Sequence, residues 1–429
     1  MKSICLLLVI VSGAAAGVSS EQSRADINPA LLYYQAFLVT PDLEQGDRDL
    51  IEANELPGQK LPERFGEIVA KSDNQFSLLR RAAHATAPCD WGIDRSAGPS
   101  TLMPHLARAK ALTQTARLRA TWDLQRGRPA DACDDLLAAF ALARNVSRDG
   151  TVISVLVQIA MEAIVYSTVA ENFGQFPAET LQRVVEGFGA APARRTVAQS
   201  IPSEKYFFRD WAVSKIQELQ RQNPGNDANV MEGIHQFLGH EDPRAGETNL
   251  WERVIQAAGG TSDGVLKLFD ERERVYQKLS VLLGLPYAEY ETQAKAFTAE
   301  FQDSPNPLVL ASVPALLRAR TRELRVLATL DMVRAAVDYK LNGEPGLQKV
   351  PDPCGKGPFS FRRFVFEGID RGFELKSAYD LGGDPGVLIF VEKEGPPFRV
   401  SGPQAGKPLS KESYDEAFRR RYGISPGKK

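Results

Sequence analysis

The stretch Met103–Asn145, MPHLARAKALTQTARLRATWDLQRGRPADACDDLLAAFALARN, contains two helix-forming runs separated by a glycine. The first run stops at Gly127, and Pro129 stands at the first turn of the second, where a missing backbone N–H is tolerated. Short polar linkers of this kind make consecutive helices antiparallel neighbours. The stretch therefore predicts a helical hairpin.

The same pattern extends on both sides of this hairpin, because residues 27 to 345 read mostly as amphipathic or apolar helix. Asn28 and Pro29 are typical of a helix start, and Ser203 is the expected cap of a helix that opens a second block. Gly284 and Pro286 interrupt a later run and predict a second hairpin there.

The spacing of apolar residues changes from a helical to a strand-like period near the end of the chain. The segments FSFRRFVF (359–366), FELKSAYDL (373–381) and GVLIFVEKE (386–394) are short, aromatic and β-branched, which predicts three strands. A further helix is expected in the polar tail, at SKESYDEAFRRR (410–421). The predicted fold class is mainly α: an irregular antiparallel array of helical hairpins, solenoid-like, with a small C-terminal antiparallel β-sheet.

The first residues, MKSICLLLVIVSGAAAG, have the form of a secretory signal peptide. Lys2 precedes a short apolar run, and Ala14 to Ala16 form an A-x-A cleavage site. We expect export to the periplasm or the extracellular space, with a mature chain beginning near Gly17; an uncleaved anchor is the alternative. The predicted division is 1–16 signal peptide, 17–195 N-terminal helical array, 196–345 second helical block and 346–429 β-containing cap with a polar tail.

Composition and motifs limit the classes of function that the protein can have. The formal net charge of the 429 residues is -2, so no strong field attracts nucleic acid or anionic lipid. The apolar run Val152–Val169 contains Gln158 and Glu162, which favours a buried core helix over a membrane span. The sequence has no P-loop, dinucleotide-binding glycine fingerprint or C-x-x-C pair, so we predict no cofactor.

The motif APCDWG contains the first catalytic candidates, Cys89, Asp90 and Trp91. A nucleophilic thiol needs a neighbouring cation, and His105 follows the loop. The structural alternative is that Trp91 fills a gap between helices while Asp90 caps a turn. A disulfide between Cys89 and Cys133 is a third interpretation, since an oxidising compartment permits it.

Two other motifs are weaker. His235 and His240 lie five residues apart, whereas helical ligand pairs prefer three or four, so a metal site there competes with a solvated loop. GTSDG (260–264) matches the nucleophile-elbow pattern, but a helical segment precedes it and all four histidines come before Ser262. A turn between two helices is the better interpretation.

Two resemblances follow from quoted motifs. Gly127 at the inter-helix turn, with Ala132 and Ala139 on the second helix, resembles one tetratricopeptide hairpin, without a regular period elsewhere. NPALLYYQAF, APCDWG, GPSTLMPHLARAK and VPDPCGKGPFSFRR occur in an order that resembles a group of uncharacterised exported bacterial proteins with a helical body and a C-terminal β cap. The resemblance implies that fold but no activity. The usual ending of that group has an aromatic residue where this chain has Cys354.

These observations support two functional hypotheses. The first is an exported helical scaffold that binds a protein or peptide partner, because stacked hairpins form extended grooves. The alternative is an extracytoplasmic hydrolase or lyase with a site in a helical cavity near Cys89 and His105. A packed tryptophan without a cavity would count against the second hypothesis.

Overall fold

The computed structural model describes residues 26–53, 60–238 and 250–409. The predicted signal peptide, His240 and the predicted tail helix lie outside these residues. The helices are α1 (Pro29–Leu38), α2 (Gln45–Ala53), α3 (Phe65–Lys71), α4 (Asp73–Ala83), α5 (Pro104–Gln125), α6 (Pro129–Val146), α7 (Val152–Glu171), α8 (Ala178–Ala190), α9 (Val197–Glu204), α10 (Trp211–Gln222), α11 (Asp227–Leu238), α12 (Leu250–Ala257), α13 (Ser262–Leu283), α14 (Tyr287–Phe301), α15 (Pro307–Asn342) and α16 (Glu344–Leu347). The mainly α prediction is confirmed.

The predicted hairpin is formed by α5 and α6. Gly127 joins them with φ of +69°, a left-handed conformation that glycine adopts without a steric penalty. Small residues on α6, among them Ala132 and Ala139, are fully buried in the contact. The break at Gly284 to Pro286 is also present, since α13 ends at Leu283 and α14 begins at Tyr287.

One predicted helix start is wrong. Ser203 does not cap a helix; it lies within α9, which begins six residues earlier behind Thr196. Thr196 and Gln199 form a reciprocal capping box, in which each side chain accepts a hydrogen bond from the other's backbone N–H. The Thr-x-x-Gln signature was therefore the stronger start signal. A π-helical turn over Lys205–Asp210 then connects α9 to α10.

Helix α7 lies at the centre of the helical body. It packs against α5, α6, α9 and α15, and Val155, Val165 and Val169 are fully buried. Among the described residues it is the helix whose length and composition would suffice to cross a membrane. Contacts on several sides are what a core helix requires. The main apolar cluster continues from the N-terminal helices into α13, α14, α15 and the sheet, across the predicted boundary at residue 195.

The C-terminal segment forms the predicted three-stranded antiparallel sheet, β1 (Ser360–Phe366), β2 (Ile369–Lys376) and β3 (Val387–Val391), in the order β1-β2-β3. The prediction placed the second strand too late, because β1 and β2 are joined by the two-residue turn Glu367-Gly368, with φ of 50° and 78°. The sheet packs on the helical body. Phe173, just after α7, contacts Phe373 and Phe390 at ring-centroid distances of 5.6 and 5.1 Å.

The stretch Pro351–Phe364 joins the helical body to this sheet. Asp352 organises the turn: its carboxylate accepts hydrogen bonds from the Cys354 amide (3.0 Å), the Ser377 hydroxyl (2.7 Å) and the Ala378 amide (2.5 Å). Cys354 is half-buried and free, and burial raises the pKa of its thiol to about 12. The segment thus connects and caps structural elements.

Candidate functional site

The four sequence-predicted catalytic residues lie beside α1, α5 and α6, and they divide into core and surface. Trp91 is 4% exposed, and its indole stacks on His105 with 4.5 Å between ring centroids. Tyr33 stacks at 5.6 Å and Phe37 at 6.3 Å. The indole Nε1 donates a 2.8 Å hydrogen bond to the carbonyl of Asn145. Trp91 therefore fills the space between helices, as a core residue does.

His105 is completely buried beneath this indole. Its Nε2 lies 3.4 Å from Oδ2 of Asp149 without hydrogen-bond geometry, and Nδ1 also has no hydrogen-bond partner among the described residues. Burial alone would raise the pKa of Asp149, but the contact with His105 and hydrogen bonds from Ser154 and Thr151 bring that pKa below its usual value. The pair is a buried polar contact that links α5 to the start of α7.

Cys89 has the wrong electrostatics for a nucleophile. Burial raises the pKa of its thiol to about 12, and nearby Asp90 adds to the rise, while Arg148 opposes it only in part. The thiol is consequently protonated at neutral pH, and the thiolate is the reactive species. Cys89 and Cys133 are both free, so the disulfide interpretation has no support.

Asp90 is exposed and belongs to the turn. Its Oδ1 accepts a 2.9 Å hydrogen bond from the Gly92 amide, and its backbone is paired with the side chain of Asn28 in both directions. Of the three clefts considered below, none is lined by Cys89, Asp90, Trp91 or His105. The geometry of the motif is that of a packed corner of the fold.

The remaining motifs also have structural explanations. His235 is exposed on α11, and in the described part of the chain no group of three or more His, Cys, Asp and Glu residues is placed to hold a metal. GTSDG is the turn between α12 and α13, with Thr261 as the N-cap. The Ser262 hydroxyl donates to Asp227 Oδ1 at 2.5 Å.

The largest cleft of the three lies where α3, α4, α5 and α6 meet. Its volume is about 830 Å³, and charged side chains dominate its lining. We call it the α4 groove; its charged lining residues are Asp73, Arg80, Arg119, Asp123, Arg128, Asp131 and Asp134. Sequence motifs did not identify it.

Arg119 and Asp135 hold the floor of the α4 groove. Asp135 is fully buried and accepts from Arg119 Nε at 2.8 Å and from Arg80 Nη1 at 2.5 Å. Arg119 Nη1 also donates to Ser72 Oγ (2.8 Å) and Asp73 Oδ1 (2.9 Å). Three helices are thereby connected by hydrogen bonds with charged partners, which are stronger than neutral ones. The floor is preorganised.

Asp123 gives the groove a group that titrates near neutrality. Its side chain is 5% exposed and accepts a 2.5 Å hydrogen bond from Arg128. Burial raises the pKa of Asp123 to about 6, since the attraction of Arg128 compensates only part of the lost hydration. The charge of the groove therefore depends on pH.

A second cleft of about 440 Å³ continues the α4 groove, because Ser77 and Arg80 line both. This extension contains Arg81 and His84 at the end of α4. Asp131 and Asp134 line the α4 groove but not the extension, at the start of α6. Their carboxylates already have arginine partners, since Asp131 lies 4.0 Å from Arg128 and Asp134 pairs with Arg183. The extension is thus a basic end, and the other end of the groove carries carboxylates that are paired with arginine.

The groove residues that the sequence motifs did not identify have a recognisable pattern in the sequence. Arg119 and Asp123 occupy inward positions of α5, on the face that also carries buried Ala116 and Ala120, where an apolar side chain is expected. A charge on the apolar face of a helix indicates a buried ion pair.

Comparison with known proteins identified no relative: no family model matches the chain, and neither a curated protein nor a solved structure matches it. The resemblance to exported bacterial proteins stays a prediction.

Proposed function

We propose that this protein is an exported helical scaffold that binds an extended peptide or a protein segment in the α4 groove. The observation that supports the proposal is the groove itself, with a basic extension at Arg81 and His84, arginine-paired carboxylates at its other end, and a floor fixed by Arg119 and Asp135. Preorganised walls lower the ordering cost of binding. The single tetratricopeptide-like hairpin contributes one wall through α5 and α6.

The dimensions and charges specify the class of ligand. Helix α4 has 11 residues, which corresponds to a length of about 16 Å and about five residues of extended chain. A segment with a lysine or arginine near Asp131 and a carboxylate near Arg81 would complement both ends. Electrostatic complementarity of this type sets the orientation of the ligand.

The buried location of Trp91 and His105 does not favour the hydrolase or lyase alternative, because no cleft among the three reaches them. That alternative has no supporting observation in the described residues.

Peptide-array binding tests the proposal directly. Charge reversal at either end, Asp131→Lys or Arg81→Glu, should weaken binding of selected peptides about tenfold or more, since both side chains are exposed and unencumbered by core packing. Glu289→Lys and Lys295→Glu, exposed on α14 and away from the groove, are the matched controls. Equal loss of affinity in the controls, or none in the groove variants, would reject the groove as the binding site.

The location of the protein needs its own measurement, because the predicted signal peptide lies outside the described residues. N-terminal sequencing of the secreted or periplasmic protein should find a start near Gly17. Retention of Met1 with recovery in the membrane fraction would contradict export as a released protein.

A further inference from the structure

A third cleft lies at the seam between the helical body and the β-sheet. Its volume is about 200 Å³, and it is bordered by the ends of α5 and α7 and by the segment after β3. We call it the seam cleft. That volume corresponds to about six or seven water molecules, enough for a small organic molecule.

Arg371 on β2 is the unusual residue of this cleft. The residue is only 3% exposed, and among the described residues no carboxylate forms an ion pair with it. Its Nε donates to the carbonyl of Lys393 (2.8 Å) and Nη1 to that of Pro396 (2.8 Å), while Nη2 donates to no described residue. The guanidinium stacks on Phe398 at 5.1 Å.

A buried guanidinium without a counter-charge is costly to maintain. Backbone carbonyls satisfy two of its five N–H bonds but do not neutralise its charge. Burial consequently lowers the pKa of Arg371, with only a small opposing influence from Glu367. An anion in the cleft would remove this cost, and arginine is well suited to bind one because its remaining N–H groups can act together.

The other charges of the seam cleft reinforce this assignment. Lys60 and Lys393 are exposed at its rim. Two of the three lining carboxylates are already paired, Glu392 with Arg363 at 2.8 Å and Glu171 with Arg117 at 3.5 Å. Glu394 is the third and lies exposed on the rim. The three cationic groups without a carboxylate partner in the described residues, Arg371, Lys60 and Lys393, therefore outnumber the one unpaired carboxylate of the lining, Glu394.

The cleft is built into the fold. Gly174, directly after α7, faces the segment following β3 so closely that an added Cβ would overlap the carbonyl oxygen of Glu392. This close approach holds the lining residues of both elements together. Gln175 and Asn172 from the same turn add amide groups to the lining.

We propose that the seam cleft binds a small organic anion, through a carboxylate or phosphate group held by Arg371 with Lys60 and Lys393. The site is independent of the α4 groove. A ligand of about six to ten non-hydrogen atoms would fill the space, and its hydroxyl or amino groups would meet Glu171 and Gln175.

Calorimetric titration of the full chain with acetate and with inorganic phosphate, at ionic strength matched with sodium chloride, tests the site. We expect millimolar dissociation constants, as is usual for such small ligands, and the tighter of the two anions identifies the preferred group. Arg371→Gln should raise the dissociation constant at least tenfold. Arg362→Gln is the matched control, because Arg362 lies on the same sheet but is largely exposed and paired with Glu374.

Arg371 also holds the segment after β3, so circular dichroism must show that Arg371→Gln is folded. A Lys60→Gln/Lys393→Gln variant changes exposed residues only and should raise the dissociation constant about two- to fivefold, whether or not Arg371→Gln folds. The proposal is overturned if neither anion binds at about 50 mM. It is also overturned if Arg371→Gln and Arg362→Gln bind equally, or, where Arg371→Gln does not fold, if the lysine variant binds as tightly as wild type.

Discussion

Replacing Glu162 with glutamine should destabilise the protein more than any change at an exposed ion pair. Glu162 lies in the middle of α7, with 1% of its side chain exposed, and contacts Arg144 Nε and Arg194 Nε at 3.1 Å each. Arg194 continues to Glu323 at 2.6 Å, which in turn contacts Arg320 at 2.6 Å. These five side chains form a buried ion chain that joins α6, α7 and α15.

The expected loss of stability in Glu162→Gln follows from the charges that are left without a partner. Breaking a buried ion pair by removing one partner costs about 3–5 kcal/mol, because the other charge loses both water and its partner. Arg194 keeps Glu323, whereas Arg144 keeps no carboxylate among the described residues and only stacks on Phe140 at 4.6 Å. The lower end of that range applies, and we expect the free energy of unfolding to fall by about 3 kcal/mol.

Urea denaturation followed by far-UV circular dichroism measures this difference. The matched control is Glu300→Gln, which breaks the exposed pair with Lys278 and should cost no more than about 1 kcal/mol. Combining Glu162→Met with Arg144→Met should recover much of the loss, since apolar residues can replace a buried pair at little cost. If Glu162→Gln lowers the free energy of unfolding no more than Glu300→Gln does, the buried ion chain does not have the stabilising role inferred for it.

Three further predictions follow from individual side chains. Trp91→Ala should lower the free energy of unfolding by about 3–5 kcal/mol, measured by urea denaturation; a well-folded variant of wild-type stability would contradict its core position. Asp123 has a folded-state pKa of about 6, above its unfolded value. Its contribution to the free energy of unfolding is therefore complete below about pH 4 and is lost as the pH rises towards 6. The total loss is up to about 3 kcal/mol. Unfolding as a function of pH should show this decline in wild type and not in Asp123→Asn; parallel profiles would refute it. Phe361→Ala should lower the free energy of unfolding by about 2–3 kcal/mol, because the ring of Phe361 packs 4.9 Å from that of Tyr339. Cys354→Ser should lower it by less than about 1 kcal/mol. Equal losses in thermal or urea unfolding would contradict a structural role for the C-terminal cap.

The fold could be predicted because its signals are local. Asn28 with Pro29, Gly127 with Pro129, and the break at Gly284 each act within one or two turns of chain, and the structure has helix boundaries at all three. The errors arose where two local signals competed. At Ser203 a lone serine competes with Thr196 and Gln199, which form the complete capping box, and Pro202 lies inside α9 as its sixth residue, shortly before the π-helical turn over Lys205–Asp210.

The site could not be predicted in the same way, because its residues are brought together by tertiary packing. Arg119 and Asp135 are 16 residues apart on different helices, and Arg371 meets the end of α7 only when the sheet docks. Motif reading favoured Cys89 and His105 because reactive residue types near each other in sequence resemble a catalytic pair. Chemistry needs an ionised or accessible group, and the fold supplies neither at Cys89: the pKa of its thiol is raised and the residue is buried. A charge on an otherwise apolar helical face, as at Arg119 and Glu162, carried more information about the interior than any motif in this sequence.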